Sequence, residues 1–251
     1  MARPFPLPNI QTILESAGRK AVVKGKLDLR KGYWQFPVHP EDRHKLAVQV
    51  FGRVYQYRVV AMGHIDSAFH VQRVMNMLFE HLMGCGLFVY LDDLFLYAPT
   101  VSEFITLRRE VLSILKRHGL RCKGDKCELG VAELAVLGHI LTQDGVRMGE
   151  DRKAAVAAMP FPRSCNELRR YLGMANYMRR FIPGYSALAQ PLSSRVNTPP
   201  AKWPRAEMVA AFEVMQEAVQ AQLSLAHLDY SRAIVVSADA SVLGVGGYVS
   251  N

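Results

Sequence analysis

Long apolar runs are missing from this sequence. None approaches the roughly 18 uninterrupted apolar residues that a membrane-spanning helix needs, and the opening MARPFPLPNI lacks the hydrophobic stretch of a secretory signal. An intracellular chain, cytoplasmic or nuclear, with no membrane partner is therefore expected. Cysteine is scarce and poorly spaced for chelation: Cys85, Cys122, Cys127 and Cys165 form no CxxC pair and have no companion set of histidines. Neither a zinc site nor a disulfide framework is expected. Internal repeats and low-complexity tracts are absent too, which excludes a repeat architecture. Acid nearly vanishes from one stretch: between Arg152 and Arg205, Glu167 stands alone against ten basic residues.

What is present is a chain of 251 residues, 50% hydrophobic, able to bury one large core or two modest ones. The formal net charge is +9, and the 152–205 segment carries all of it, because the remainder holds 21 basic and 21 acidic residues. A dedicated phosphate-binding element explains that concentration better than a diffuse basic bias.

The residues up to about 148 mix strand-like and helical runs, which predicts an α+β layer structure. Strands are expected near 26–29, 45–50 and 54–60, the last two joined at Phe51-Gly52-Arg53, and a helix from an Asp66 N-cap to Met83. Leu87-Phe88-Val89-Tyr90-Leu91 and Leu94-Phe95-Leu96-Tyr97 flank Asp92-Asp93, a pattern that predicts a hairpin with both acids at its tip. Ser102 to His118 reads as a helix, and Glu133 to Met148 as strands broken at Gly138 and Asp144-Gly145. Beyond Gly149 the texture becomes helical. Ser164-x-x-Glu167 opens a helix expected to reach Ile182, with Leu168, Tyr171, Leu172, Ala175, Met178 and Ile182 on one face and Arg169, Arg170 and Arg180 on another. Asn197-Thr198-Pro199-Pro200 reads as a linker, followed by a helix over about 205–222 and a strand over Ala233 to Ala238.

Adjacent carboxylates between apolar runs repel each other and resist burial. A divalent cation would offset them, and Mg²⁺ commonly binds through one or two carboxylates plus substrate phosphates. An isolated Asp-Asp pair is more simply a solvated turn, and Asp28 alone an N-cap or surface residue. Together, two strand-borne acid sites with Tyr33 after the first suit two-metal phosphoryl transfer, in which the ions sit roughly 3.5–4 Å apart.

The strings KLDLRKGYWQFPV, VYLDDLFLYA, KCELGVAELAVLGHIL and ELRRYLGMANYMRRFI, in this order, resemble the reverse transcriptases of gypsy-type LTR retrotransposons. The resemblance covers nearly the whole chain. It implies a right-hand polymerase: partial fingers and palm over 1–148, a helical thumb over 149–197, a connection over 198–231, and the start of an RNase H-like domain over 232–251. It further implies that Asp28 and Asp92 ligate two Mg²⁺ ions, replaceable by Mn²⁺, with Asp93 supporting as a third metal-site carboxylate. Tyr33 would select deoxynucleotides, with Met62 and Gly63 beside the incoming nucleotide, and Lys126 would protonate pyrophosphate. Read alone, Tyr33 is a core tyrosine and Lys126 a surface lysine. Gln72, Tyr90, Leu91, Leu137, Gly138, His139, Arg169, Arg170 and Arg180 would contact template-primer. The implied partners are an RNA or DNA template with primer and deoxynucleoside triphosphates.

Family members carry Phe-Gly-Leu-Thr-Asn-Ala-Pro where this chain has Met62-Gly63-His64-Ile65-Asp66-Ser67-Ala68. They also carry upstream finger strands with triphosphate-binding cations, so weak nucleotide affinity is expected of this chain. Asp239 would be the first acid of an RNase H site, without RNase H activity. Two other readings remain: a silent retroelement relic that only binds nucleic acid, and another palm-type enzyme such as a nucleotide cyclase, for which the basic segment has no purpose.

Overall fold

The computed structural model describes residues 6–18, 21–221, 224–227, 231–241 and 244–250. The chain divides into two compact units, 1–134 and 135–251.

The first unit is built on a four-stranded antiparallel sheet. Its strands are β1 (Val23–Asp28), β4 (Leu87–Tyr90), β5 (Asp93–Ala98) and β6 (Glu128–Val131), ordered β4-β5-β1-β6. A separate hairpin of β2 (Ala47–Val50) and β3 (Arg53–Gln56) turns at Phe51-Gly52. Two helices supply the apolar cover, α2 (Ser67–Leu78) and α3 (Val101–Arg117), the latter N-capped by Thr100; a short α1 (Ile10–Ala17) precedes the sheet. Strand periodicity explains the packing. Leu27 and Leu29, Leu87 and Val89, and Leu94 and Leu96 form one buried core with Val71 and Met75 of α2 and Phe104, Leu107 and Val111 of α3. The intervening residues, Lys26, Asp28, Tyr90 and Asp93 among them, therefore face the other way. Helix α2 ends earlier than the apolar pattern suggests, giving way at Phe79 to a 3-10 turn over Glu80–Leu82.

The second unit begins with three short strands, β7 (Leu134–Val136), β8 (His139–Leu141) and β9 (Gly145–Met148). Helices α4 (Glu150–Ala157), α5 (Cys165–Tyr177), α6 (Tyr185–Ser193) and α7 (Arg205–Gln220) follow. The chain then returns as β10 (Ser224–Ala226) to pair with β9, completing the order β10-β9-β8-β7. That return places the compact boundary at 134/135 instead of the expected 148/149. It also draws the expected 198–231 connection into this unit, with α7 packed on α4 and α6. The expected linker is held as well: the Thr198 carbonyl accepts from Trp203 Nε1 (2.7 Å) and Cys165 Sγ (3.2 Å). Strands β11 (Val235–Ser241) and β12 (Gly244–Ser250) pair as a hairpin with Asp239 opposite Gly246; the side chain of Asp239 lies outside the described residues.

Helix α5 starts as the sequence implies, with Ser164 Oγ accepting the Glu167 N–H (3.2 Å). Glu167 reaches back one residue further than a capping box requires, to the Arg163 N–H (2.7 Å). The helix closes at Tyr177, not Ile182, because a 3-10 turn over Arg179–Phe181 intervenes. Its core-facing Tyr171 is fully buried, with its ring 4.7 Å from that of Phe212. The Tyr171 hydroxyl finds no hydrogen-bond partner among the described residues, and burial pushes its pKa far up. Tyr171→Phe should therefore raise the unfolding free energy by about 1–3 kcal/mol. Urea titration followed by circular dichroism measures this, and a loss of stability would mean that the hydroxyl is engaged.

Candidate active site

Tyr90 pairs with Asp93 across the β4–β5 hairpin, leaving Leu91-Asp92 as its two-residue turn. Leu91 takes φ 55°, a left-handed conformation that costs a non-glycine residue roughly 1–2 kcal/mol. A buried side chain from α2 holds it there. Gln72 accepts the Leu91 N–H at Oε1 (2.7 Å) and donates from Nε2 to the Val89 carbonyl (3.0 Å) and to Asn76 Oδ1 (2.7 Å). Gln72 is 0% exposed, which corrects the expected template-primer contact: its amide is committed to the protein's own hairpin. Asp92 is tied from the other side, its carbonyl accepting the Leu29 N–H (3.1 Å).

These bonds bring Asp28 to the hairpin across 64 residues of sequence, since Asp28 stands directly opposite Asp93 in the β1–β5 register. Like charges opposite one another on a sheet face are unfavourable. Two lysines offset them. Lys26, two residues before Asp28 and diagonal to Asp93, reaches Asp93 Oδ1 at 3.0 Å, with its ammonium also over the Phe95 ring. Lys126, on a 3-10 turn over Gly124–Lys126, reaches Asp28 Oδ2 at 3.9 Å. The Asp92 pKa is raised by burial first, with Asp93 and Asp28 adding to it and its own backbone N–H and Lys26 opposing. The approach of Gly32 explains part of the burial: a Cβ there would meet Asp92 Cβ and Oδ2 at 2.7 Å. Half-buried Tyr33 follows, its phenol pKa raised by burial, then by Asp92 and Tyr90.

No three His, Cys, Asp or Glu side chains among the described residues close on a common point. Asp93 is engaged by Lys26 and Asp28 lies near Lys126, while the half-buried Asp92 follows the strained Leu91 in the turn. This donor set fits Mg²⁺, which needs only one or two protein carboxylates when phosphate oxygens and waters complete its shell. Tyr90 and Leu91 are partly exposed at the turn, and Met62 and Gly63 (φ 87°) lie on the exposed loop before α2. Lys26 carries no expected role on sequence grounds, although strand alternation puts it on the Asp28 face.

In the second unit, Leu137 (φ 50°) and Gly138 (φ 86°) form the turn between β7 and β8. The Arg152 guanidinium lies where a Gly138 Cβ would be, and 4.4 Å over the Tyr177 ring. Tyr177 donates its hydroxyl to the Leu137 carbonyl (3.3 Å). His139 is buried between the rings of Tyr177 and Phe181, and burial, then Arg152, lowers its pKa. A buried imidazole packed against two rings suits a structural part of the turn better than the direct template-primer contact expected of it. Arg169, Arg170 and Arg180 are exposed, and Arg169 is held by Asn166 Oδ1 and Asn197 Oδ1, both at 2.9 Å. Neutral partners leave its charge whole.

Known proteins bear directly on this arrangement. The family described as reverse transcriptase (RNA-dependent DNA polymerase) matches residues 3–141. The Retrovirus-related Pol polyprotein from transposon 297 of Drosophila melanogaster is 30% identical over 252 residues, covering 98% of this chain and 23% of that protein. The Transposon Tf2-3 polyprotein of Schizosaccharomyces pombe is 28% identical over 247 residues, covering 98% of this chain and 18% of its own length. The chain thus spans less than a quarter of these relatives. Among solved structures, the foamy viral protease-reverse transcriptase in complex with RNA/DNA hybrid superposes with a TM-score of 0.83 at 22% identity, over 100% of this chain and 36% of that one. The same viral protein in complex with dsDNA gives 0.84 at 24% identity, over 99% and 52%. At such identities the likeness is one of fold, an α+β polymerase fold with antiparallel sheets and helices. With the family match extending over more than half its length, this chain belongs to the reverse transcriptases, in the branch carried by retrotransposon Pol polyproteins.

Proposed function

We propose that this chain performs RNA-directed DNA synthesis for a gypsy-type retroelement inside the cell, with Asp28 and Asp92 holding Mg²⁺ and deoxynucleoside triphosphates as substrates. The observation that carries the proposal is the convergence of a strained Asp92 turn with Asp28 on one sheet face, around a charge that the protein leaves incompletely neutralised. Divalent ions bound there would activate the primer 3′-hydroxyl and balance the charge developing on the transferred phosphate. Asp28 and Asp92 orient that chemistry, and Lys26 holds Asp93 in place beside them. Lys126 keeps an exposed ammonium near Asp28, suited to delivering a proton to the departing pyrophosphate. Tyr33 stands beside Asp92, where its ring would meet a ribose 2′-hydroxyl. The exposed arginines of α5 and the turn after it would grip duplex phosphates without reading sequence.

Extension of a DNA primer on an RNA template in Mg²⁺ buffer tests this. The expected result is template-directed incorporation of deoxynucleotides over ribonucleotides. Retained duplex binding with no incorporation by the wild-type chain at millimolar nucleotide would favour a silent nucleic-acid binder.

A further inference from the structure

The amide of Gln72 is fully buried and touches the backbone on both sides of Tyr90. Its three partners are unequal. The bond to Asn76 stays within α2, while the bonds to Val89 and Leu91 cross to the hairpin. Glutamine can do this because one planar group offers an acceptor and two donors; an apolar residue of the same size would fill the space but leave the Leu91 N–H and Val89 carbonyl unpaired. Leu91 is the neighbour of Asp92 and holds a left-handed φ that leucine does not choose. The remaining tie on Asp92 is the Leu29 N–H to its carbonyl oxygen, which leaves rotation about the Leu91 peptide to be checked from the α2 side.

We infer that Gln72 is a positioning residue: by clamping Leu91 it sets the direction in which Asp92 presents its carboxylate to a divalent cation. The inference rests on the nucleotidyl-transfer reading for its catalytic consequence, but not for its effect on cation binding. It assigns Gln72 a role through Asp92, with no contact to template, primer or nucleotide.

The test replaces Gln72 with methionine in the whole chain and measures three things. Mn²⁺ is titrated into wild type and Gln72→Met, with free Mn²⁺ read by paramagnetic resonance; kcat and the template-primer Kd are measured separately. Outer groups that orient metal ligands typically change affinity or activity by roughly 10–100-fold, so both Mn²⁺ affinity and kcat should fall within that range. The template-primer Kd should stay within about twofold, as expected for a change that leaves the duplex-binding surface alone. Unchanged Mn²⁺ binding in folded Gln72→Met overturns the inference, and so does a weakened template-primer Kd at full kcat. If Gln72→Met does not fold, Asn76→Ala removes only the partner that steadies Nε2, and a smaller loss of Mn²⁺ affinity is expected; no loss overturns the inference. Should the wild-type chain bind Mn²⁺ in a Gln72-dependent way and yet never extend a primer, the clamp stands and the polymerase reading falls.

Discussion

Asp92→Asn is expected to cut primer extension by orders of magnitude while making the chain harder to melt at neutral pH. Loss of activity follows from removing one of two carboxylates available to the ions. Charge stabilisation by a bound metal is worth several kcal/mol, and each 1.36 kcal/mol is tenfold in rate, so a fall of roughly 10²–10⁴-fold is expected. The gain in stability has a separate cause. Burial, reinforced by Asp93 and Asp28, raises the Asp92 pKa above its ordinary value. The folded chain therefore binds that proton more tightly than the unfolded chain does. Stability then declines as pH rises from the ordinary carboxylate range through the raised folded pKa, and above it the whole cost of the buried charge is present. Asparagine carries no such charge. Its advantage should be full near pH 7.5 in metal-free buffer and vanish at pH values below the ordinary carboxylate range, with each kcal/mol relieved worth about 2–4 °C. Added Mg²⁺ should narrow the gap by stabilising the wild type alone. Differential scanning calorimetry across pH, with and without Mg²⁺, makes the comparison. A lower melting temperature for Asp92→Asn without metal would show that the carboxylate is satisfied by the protein itself.

Neutralising Arg169, Arg170 and Arg180 together should flatten the salt dependence of duplex binding. Each phosphate that a side chain no longer neutralises takes roughly 0.9 from the slope of log affinity against log salt for a B-form duplex, so the triple substitution would take up to about 2.7. All three side chains are exposed on α5 or the turn that follows it, away from the buried face of Leu168, Tyr171 and Ala175. Glutamine at these positions should leave the core intact, so the melting temperature serves as the control. Fluorescence anisotropy of a labelled RNA/DNA duplex at salt concentrations from 50 to 300 mM (about a sixfold range) would resolve the change. An unaltered slope at unaltered affinity would locate the duplex elsewhere and reduce the arginines to bystanders.

The hairpin and its acids were legible from two apolar runs interrupted by Asp-Asp, and Asp28 was legible as a second strand-borne acid whose link to them the family resemblance then strengthened. Local pattern says nothing about which distant strand lies opposite. Gln72 was misread for a related reason: a polar residue on an amphipathic helix looks exposed until the hairpin that consumes its hydrogen bonds is in place. His139 shows the same limit, since the rings of Tyr177 and Phe181, about forty residues on, pack against it. Helix ends were missed by a few residues at Leu78 and Tyr177, where 3-10 turns continue the apolar face without continuing the helix.

The pairing of β10 with β9 has a consequence for synthesis on the ribosome. Every strand of the acid-bearing sheet has been made once Val131 emerges, so that unit can condense early, before the basic helices exist. Strand β9 must instead wait, with one edge unpaired, until Ser224 to Ala226 have been translated past α7. During that interval the nascent chain displays an open strand edge beside a strongly cationic segment, a combination that invites both intermolecular strand pairing and premature capture of cellular RNA. A translational pause or nonsense codon anywhere between α4 and β10 would prolong that exposure and turn a transient folding intermediate into an aggregation-prone product.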